Sequence, residues 1–336
     1  MENLVFKLFL MAALFGISLT GTIPQIHSGK CSSNPLFHTV EEKTCSEFNS
    51  VQEMEKEISA VIEESVWQLT IENSSFDDFD MKNVKLPERF FFLSISNSKI
   101  KKLVSGAFKT LALLDTLELK ENQIETLEGG AFSGLKLLNL LDLSKNNLKK
   151  LPKDVFLSLP RLINLDLSQN NLVKIDSNDL KGLTRLLQLN LTYNKIEEIE
   201  SDTFKDTNKL QDIYLNNNQI KYIHENAFGG LNKIISLTLS DNKIEKLQES
   251  VFKGLDVLQE LHLENNLIKD IDKLSFSGLG NLKYLNLSNN EITNIPENVF
   301  GSIQDLFVLD VTHNKLSEDD IKLLKNLNNV QQLYND

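Results

Sequence analysis

The chain has 336 residues, a length that would ordinarily divide into two domains, and a formal charge of −12. An acidic excess of that size argues against a nucleic-acid partner and toward a basic or neutral one. Beyond the first residues no stretch is apolar enough to cross a bilayer, and the C-terminal NVQQLYND lacks the hydrophobic tail of a lipid-anchor signal.

Lys7 precedes an apolar run from Leu8 to Leu19, followed by small and polar residues. That is the pattern of a signal peptide, with an apolar stretch too short to favour a membrane span, although Glu2 departs from the usual basic start. Cleavage falls between Thr20 and Ser28, and residues 1–22 are assigned to the signal, so the product is expected to be secreted. Cys31 and Cys45 are the only cysteines. In an exported chain so close a pair reads as a disulfide, and closing a loop of about 15 residues is worth roughly 3 kcal/mol in the chain-entropy model. Their spacing is not the CxxC of a redox motif. Val51, Met54, Ile58, Val61 and Ile62 fall near helical spacing and predict a short amphipathic helix leading into a first strand at Trp67. Residues 23–66 thus form an N-terminal cap.

From there a single period governs the chain. Asparagine returns every 24 residues at Asn122, Asn146, Asn170, Asn194, Asn218, Asn242, Asn266, Asn290 and Asn314, each closing a segment such as Leu117, Leu119, Asn122, Ile124. Phe108, Phe132, Phe156, Phe204, Phe228, Phe252, Phe276 and Phe300 keep the same step, with Leu180 in the vacant place. A unit of this size cannot enclose a core alone, so each coil lays its leucines against its neighbours' and needs the same residue type at the same place. The LxL segment predicts a short strand, leucines inward, paired in parallel with the next coil's. The chain must turn sharply after it, leaving backbone groups pointing inward, and asparagine satisfies them with a donor and an acceptor on a short side chain. The phenylalanines fill the wider back of each coil. Upstream, Ser98 and Ser74 take the asparagine place, Asn97 lying one residue out of register, and Thr207 interrupts a leucine position. Residues 67–316 make eleven coils, and ten steps of about 4.8 Å give an inner sheet about 48 Å long. Beyond them Ser317 and Asp320 predict a capping box ahead of Ile321, Leu323, Leu324 and Leu327, while Val330 and Leu333 hold the places of one more strand. Residues 317–336 read as a helical cap repeat.

The pattern LxxLxLxxNxIxxIxxxxFxxLxx resembles the extracellular leucine-rich repeat family in its typical 24-residue form, over roughly Trp67 to Leu316. The resemblance implies an α/β solenoid, a right-handed curved horseshoe with a parallel β-sheet on the concave face and an irregular or 3-10 convex side. It also implies non-catalytic recognition, as in Toll-type ectodomains, chaoptin-like adhesion proteins and insect leucine-rich immune proteins, and hence a role in innate immunity, adhesion or developmental signalling. Such relatives often carry a four-cysteine N-terminal cap and a cysteine-bearing C-terminal one; this chain has half of the first and none of the second.

The residues alternating with the core leucines line the inner face. Glu72, Glu118, Asp142, Asp166, Asp212, Glu260, Glu264 and Asp310 make it acidic, opposed almost only by Lys120. Solvated sheet faces often carry such charge without binding anything. Tyr193, Tyr214, His262, Tyr284 and His313 all fall in the C-terminal half of this face and its edge, near Asp212, Glu260 and Glu264. Tyrosine offers apolar area with a polar tip at little entropic cost, which makes this the candidate contact patch for a protein ligand or receptor; the competing explanation is the ordinary tolerance of tyrosine on a sheet. Asn73, Asn190 and Asn286 begin glycosylation sequons, the last two on the inner face, where the repeat itself commonly spells NLT or NLS. Lys101, Lys102, Lys149, Lys150, Lys174, Lys221, Lys246 and Lys269 form an edge just after the asparagines, interrupted by acids, which fits a solvated mixed-charge flank better than a glycan site. The five histidines share no metal-ligand spacing, and GxSxG, HExxH and a glycine-rich phosphate loop are all absent, so neither catalysis nor a cofactor is expected. Two alternatives remain to a recognition module: an extracellular matrix component, or an inhibitor or stabilising subunit of a secreted hydrolase.

Overall fold

The computed structural model describes residues 26–336 apart from 29, 38–39, 63–65, 85 and 88; the expected signal peptide lies outside them. Among the described residues fifteen strands form one sheet. From Val66–Glu72 onward every neighbour is parallel, and the register is the sequence period itself: Leu69 opposes Leu93, Leu93 opposes Leu117, Leu117 opposes Leu141, and so on to Leu285 with Leu309. Each of these leucines is fully buried or within 1% of it. One continuous core runs from the Cys31–Cys45 pair to Leu324.

The asparagine ladder works as its chemistry requires. Asn146 donates from Nδ2 to the carbonyl of Leu119 in the preceding coil at 2.9 Å and of Leu143 in its own at 3.0 Å, while its Oδ1 accepts from the Ile124 amide at 3.0 Å. The same bonds recur up to Asn314. Serine reaches less far: Ser98 Oγ donates to the Ser96 carbonyl at 2.8 Å and accepts from the Ser74 amide at 3.3 Å. The sharp turn has a cause that the period does not reveal. The residue before each ladder position, from Asn73 and Asn97 through Tyr193 to His313, sits in the left-handed region with φ between 50° and 57°. Asparagine, found there five times, tolerates that conformation best among non-glycine residues.

On the convex side the phenylalanine rings stack coil on coil, with centroids 5.9 Å apart for Phe132 and Phe156 and 6.1 Å for Phe204 and Phe228, and the stack breaks at Leu180. Tight turns such as Leu111 N–H to Phe108 C=O at 2.9 Å carry the backbone there. Short parallel pairs, among them Glu198–Ile199 with Tyr222–Ile223, add a second ribbon that the sequence does not announce, because two residues are too few to show an alternation.

The N-terminal cap differs from its expected form. Besides the helix α1 (Val51–Val61), it contributes the strands Ile26–Ser28, Cys31–Phe37 and Val40–Ser46; the first two pairings are antiparallel, and the third strand joins Val66–Glu72 in parallel. The Cys31–Cys45 disulfide links residues directly opposed in this hairpin. Ser50 caps α1 by accepting from the Glu53 amide, and Met54 and Ile58 lie fully inside the core. At the other end α2 (Glu318–Lys325) opens on a reciprocal capping box between Ser317 and Asp320, and Asp320 also accepts from the Ile295 amide at 3.0 Å, tying the cap to the last coils. The final strand, Val330–Tyr334, extends the sheet in parallel beside Leu306–Asp310.

Candidate functional site: the concave face

Strand pairing assembles the outward side chains into columns that run across the coils. One column passes through Glu118, Asp142, Asp166, Asn190, Tyr214, Thr238, His262, Asn286 and Asp310; its neighbour runs through Leu140, Asn164, Gln188, Asp212, Ser236, Glu260, Tyr284 and Val308. Nearly all of these side chains are half-buried, held upright between the leucines beneath.

Six of the eight expected contact residues lie in or beside these columns. The His262 and Tyr284 rings meet at 4.9 Å with a 35° tilt, and His262 Nδ1 lies 3.7 Å from Glu264 Oε1. Among the described residues the other Glu264 oxygen has no hydrogen-bond partner. Burial pushes the Tyr284 phenol above its ordinary pKa, and the Glu264 charge adds to the shift. Burial likewise raises Tyr214, assisted by Asp212 and Glu260. Both phenols therefore remain protonated donors next to carboxylates at neutral pH. Asp212 accepts from Gln188 Nε2 at 3.1 Å. The other two residues stand apart: Tyr193, 57% exposed, and His313 occupy the left-handed turn at the strand exits, and the His313 amide donates to Asp336 Oδ2 at 2.6 Å. Phe307, 49% exposed, joins Gln259, Glu260, Lys283, Tyr284 and Asp305 around a shallow depression at this end of the face. Sequence reasoning missed it because Phe307 and Val308 both face outward within the strand Leu306–Asp310, which breaks the alternation by which the face is read.

In the N-terminal half, burial raises the Asp142 carboxyl, and the charges of Asp166 and Glu118 on the flanking strands raise it further, against a hydrogen bond from Ser144. The sequons differ in setting. Asn73 is exposed on a turn, whereas Asn190 Nδ2 donates to Asp166 Oδ2 at 3.0 Å and Asn286 is half-buried beside Tyr284. On the exit edge Lys101 pairs with Asp77 at 2.8 Å, Lys102 with Glu128 at 2.6 Å, Lys174 with Glu200 at 2.5 Å and Lys269 with Glu291 at 3.8 Å. Among the described residues no group of three or more His, Cys, Asp or Glu side chains converges as for a metal, and no helix is long and apolar enough to cross a membrane.

The family model for the BspA type leucine rich repeat region matches residues 70–196, 101–235 and 174–307, and a second leucine rich repeat model matches 281–334. The chain belongs to the leucine-rich repeat family. Its fold is similar to that of TLR13 in a crystal structure of a TLR13–ssRNA13 complex, with 24% identity, a TM-score of 0.72, and coverage of 85% of this chain and 45% of the other. This leucine-rich repeat chain therefore spans less than half of that one. An internalin of Listeria monocytogenes aligns at 22% identity and a TM-score of 0.65, over 88% of this chain and 82% of its own. A chain of the octameric complex of Latrophilin 3, Unc5D and FLRT2 (LRR) aligns at 23% identity and a TM-score of 0.68, over 81% and 84%. No curated protein sequence matches significantly.

Proposed function

We propose that this leucine-rich repeat protein is a secreted, non-catalytic recognition module that binds a protein partner through the C-terminal half of its concave face. The observation that carries the reading is the assembly of Tyr214, His262 and Tyr284 among Asp212, Glu260 and Glu264 on a sheet whose strands are fixed in register from both sides. Such a wall presents side chains from several coils without ordering any of them on binding, so little entropy is lost. The acids favour a partner with basic contact residues. Tyr193, His313 and the neighbouring turns supply the rim.

The division into a signal peptide at 1–22, a cap at 23–66, repeats at 67–316 and a capping repeat at 317–336 belongs to the same reading, as do N-glycans at Asn73, Asn190 and Asn286 and a role in innate immunity, adhesion or signalling. The disulfide and the apolar run from Leu8 to Leu19 support export. The test is capture of the native partner by cross-linking in the fluid that holds the protein, followed by affinity measurements on Tyr214→Ala and Tyr284→Ala. Each variant is expected to weaken binding by about 1–3 kcal/mol, or roughly 5- to 150-fold, with an unchanged circular dichroism spectrum. Unaltered affinity in both would exclude the patch.

A further inference from the structure

Over four consecutive coils the edge by which the chain enters the sheet is basic in an otherwise acidic molecule, whereas the same place in the flanking coils holds Leu113, Leu137, Val257, Asn281 and Asp305. Two or three residues before each strand the chain makes the same short turn, and in four consecutive coils that turn carries Arg161, Arg185, Lys209 and Lys233, one 24-residue step apart. All four are exposed, and among the described residues none of their side chains makes a hydrogen bond or an ion pair. The segments 157–163, 181–187, 205–211 and 229–235 together hold six cations against one anion, Asp206, in a chain of net charge −12. Of the other two cations, Lys205 is exposed and Lys181 is paired with Asp154 at 3.1 Å. The exit edge is mixed by contrast: Lys101, Lys102, Lys174 and Lys269 are paired with carboxylates, and Glu125, Glu197, Glu198, Glu245 and Asp270 interrupt the column that Lys149, Lys150, Lys221 and Lys246 complete.

We propose that this entry edge binds a linear sulfated polysaccharide, laid across the coils so that successive sulfates meet Arg161, Arg185, Lys209 and Lys233. Parallel strands repeat about every 4.8 Å, so the column is about 14 Å long and its charges are evenly spaced, as a regularly charged linear polymer requires. Unpaired, exposed cations in register give a locally positive strip that a polyanion senses despite the overall negative charge. Guanidinium groups at Arg161 and Arg185 can grip sulfate oxygens through two hydrogen bonds at once. A nucleic acid fits less well, because the adjoining turn residues Pro160, Thr184, Asn208 and Asn232 and the flanking Ile163, Leu187 and Ile235 offer no aromatic ring for bases to stack on. The 24-residue recurrence of these cations was visible in the sequence, but their lack of counter-charges was not.

The experiment is a titration of the purified protein with heparin at several salt concentrations, with single-stranded RNA as a second probe. The combined variant Arg161→Gln, Arg185→Gln, Lys209→Gln, Lys233→Gln is compared with Lys149→Gln, Lys150→Gln, Lys221→Gln, Lys246→Gln on the exit edge, which changes the net charge equally. Wild type is expected to bind heparin more tightly than RNA. The entry-edge variant is expected to lose at least about tenfold in affinity and about three to four in the slope of log affinity against log salt, while the exit-edge variant stays within about twofold. Matching melting temperatures establish that both variants are folded. Absence of heparin binding by wild type, equal losses in both variants, or a preference for RNA would each overturn the proposal.

Discussion

Replacing Asn218 by alanine probes the ladder in the middle of the stack. Its Oδ1 accepts from the Ile196 amide at 3.0 Å, and its Nδ2 donates to the Leu191 carbonyl at 2.9 Å and the Leu215 carbonyl at 3.0 Å, with a weaker contact to Asn216 at 3.4 Å. Alanine leaves the Ile196 amide without a partner, at about 1–3 kcal/mol, while the Leu191 and Leu215 carbonyls each lose one of two bonds and keep those from Asn194 Nδ2 at 3.1 Å and Asn242 Nδ2 at 3.0 Å. Asn218 is 7% exposed, so little water can reach the freed amide, and with the two weakened carbonyls a total loss of about 2–4 kcal/mol is expected. Asn314 makes the same bonds but is half-buried at the last coil, so Asn314→Ala should cost only about 1–2 kcal/mol. Asn218→Ser should fall between, since serine at positions 74 and 98 satisfies its own coil while failing to reach the carbonyl of the one before. Because a repeat array need not unfold in one step, urea denaturation should be paired with hydrogen exchange. Exchange of the Ile196 amide should accelerate by more than about 100-fold in Asn218→Ala. A loss below about 1 kcal/mol at Asn218, or equal losses at Asn218 and Asn314, would refute the view that the ladder satisfies enclosed backbone groups.

Burial raises the Asp179 carboxyl to about 6, partly opposed by a hydrogen bond from the Asp176 amide. The folded state therefore holds this proton more tightly than the unfolded chain does. The contribution of Asp179 to stability falls as pH rises from about 4 to about 6 and stays low above that. Asp179→Asn should raise the melting temperature at about pH 7.5 and do so less at about pH 4.5; an equal gain at both would dismiss the burial argument. Reducing the Cys31–Cys45 bond, or the double change to serine, should cost about 2–4 kcal/mol and loosen the hairpin and α1 before the central coils, as hydrogen exchange can show. Intact-mass measurement before and after deglycosylation of the secreted protein should show a glycan at Asn73, the exposed sequon; a mass unchanged by the treatment would remove it.

Much of the candidate face could be read in the sequence because a solenoid converts a residue's place in the period into a place in space. Glu118, Tyr214 and His262 share one offset from their leucines, and the structure puts them in one column. Tyr193 shows where that logic stops. One residue before its asparagine it no longer belongs to the strand, and a left-handed backbone turns it to the edge.

The period by itself determined the parallel register, the buried leucine and phenylalanine stacks and the asparagine ladder, since identical coils can share one interior only if like meets like. Tertiary structure alone decided the rest. The N-terminal hairpin strands occur once and leave no repeat to detect. Which lysines are neutralised and which cations stand free depends on carboxylates about 24 residues away in the chain, as in Lys101 with Asp77 and Lys145 with Glu121. Ion pairs between coils form through contacts a few ångströms long, and such distances exist only once the chain has wound.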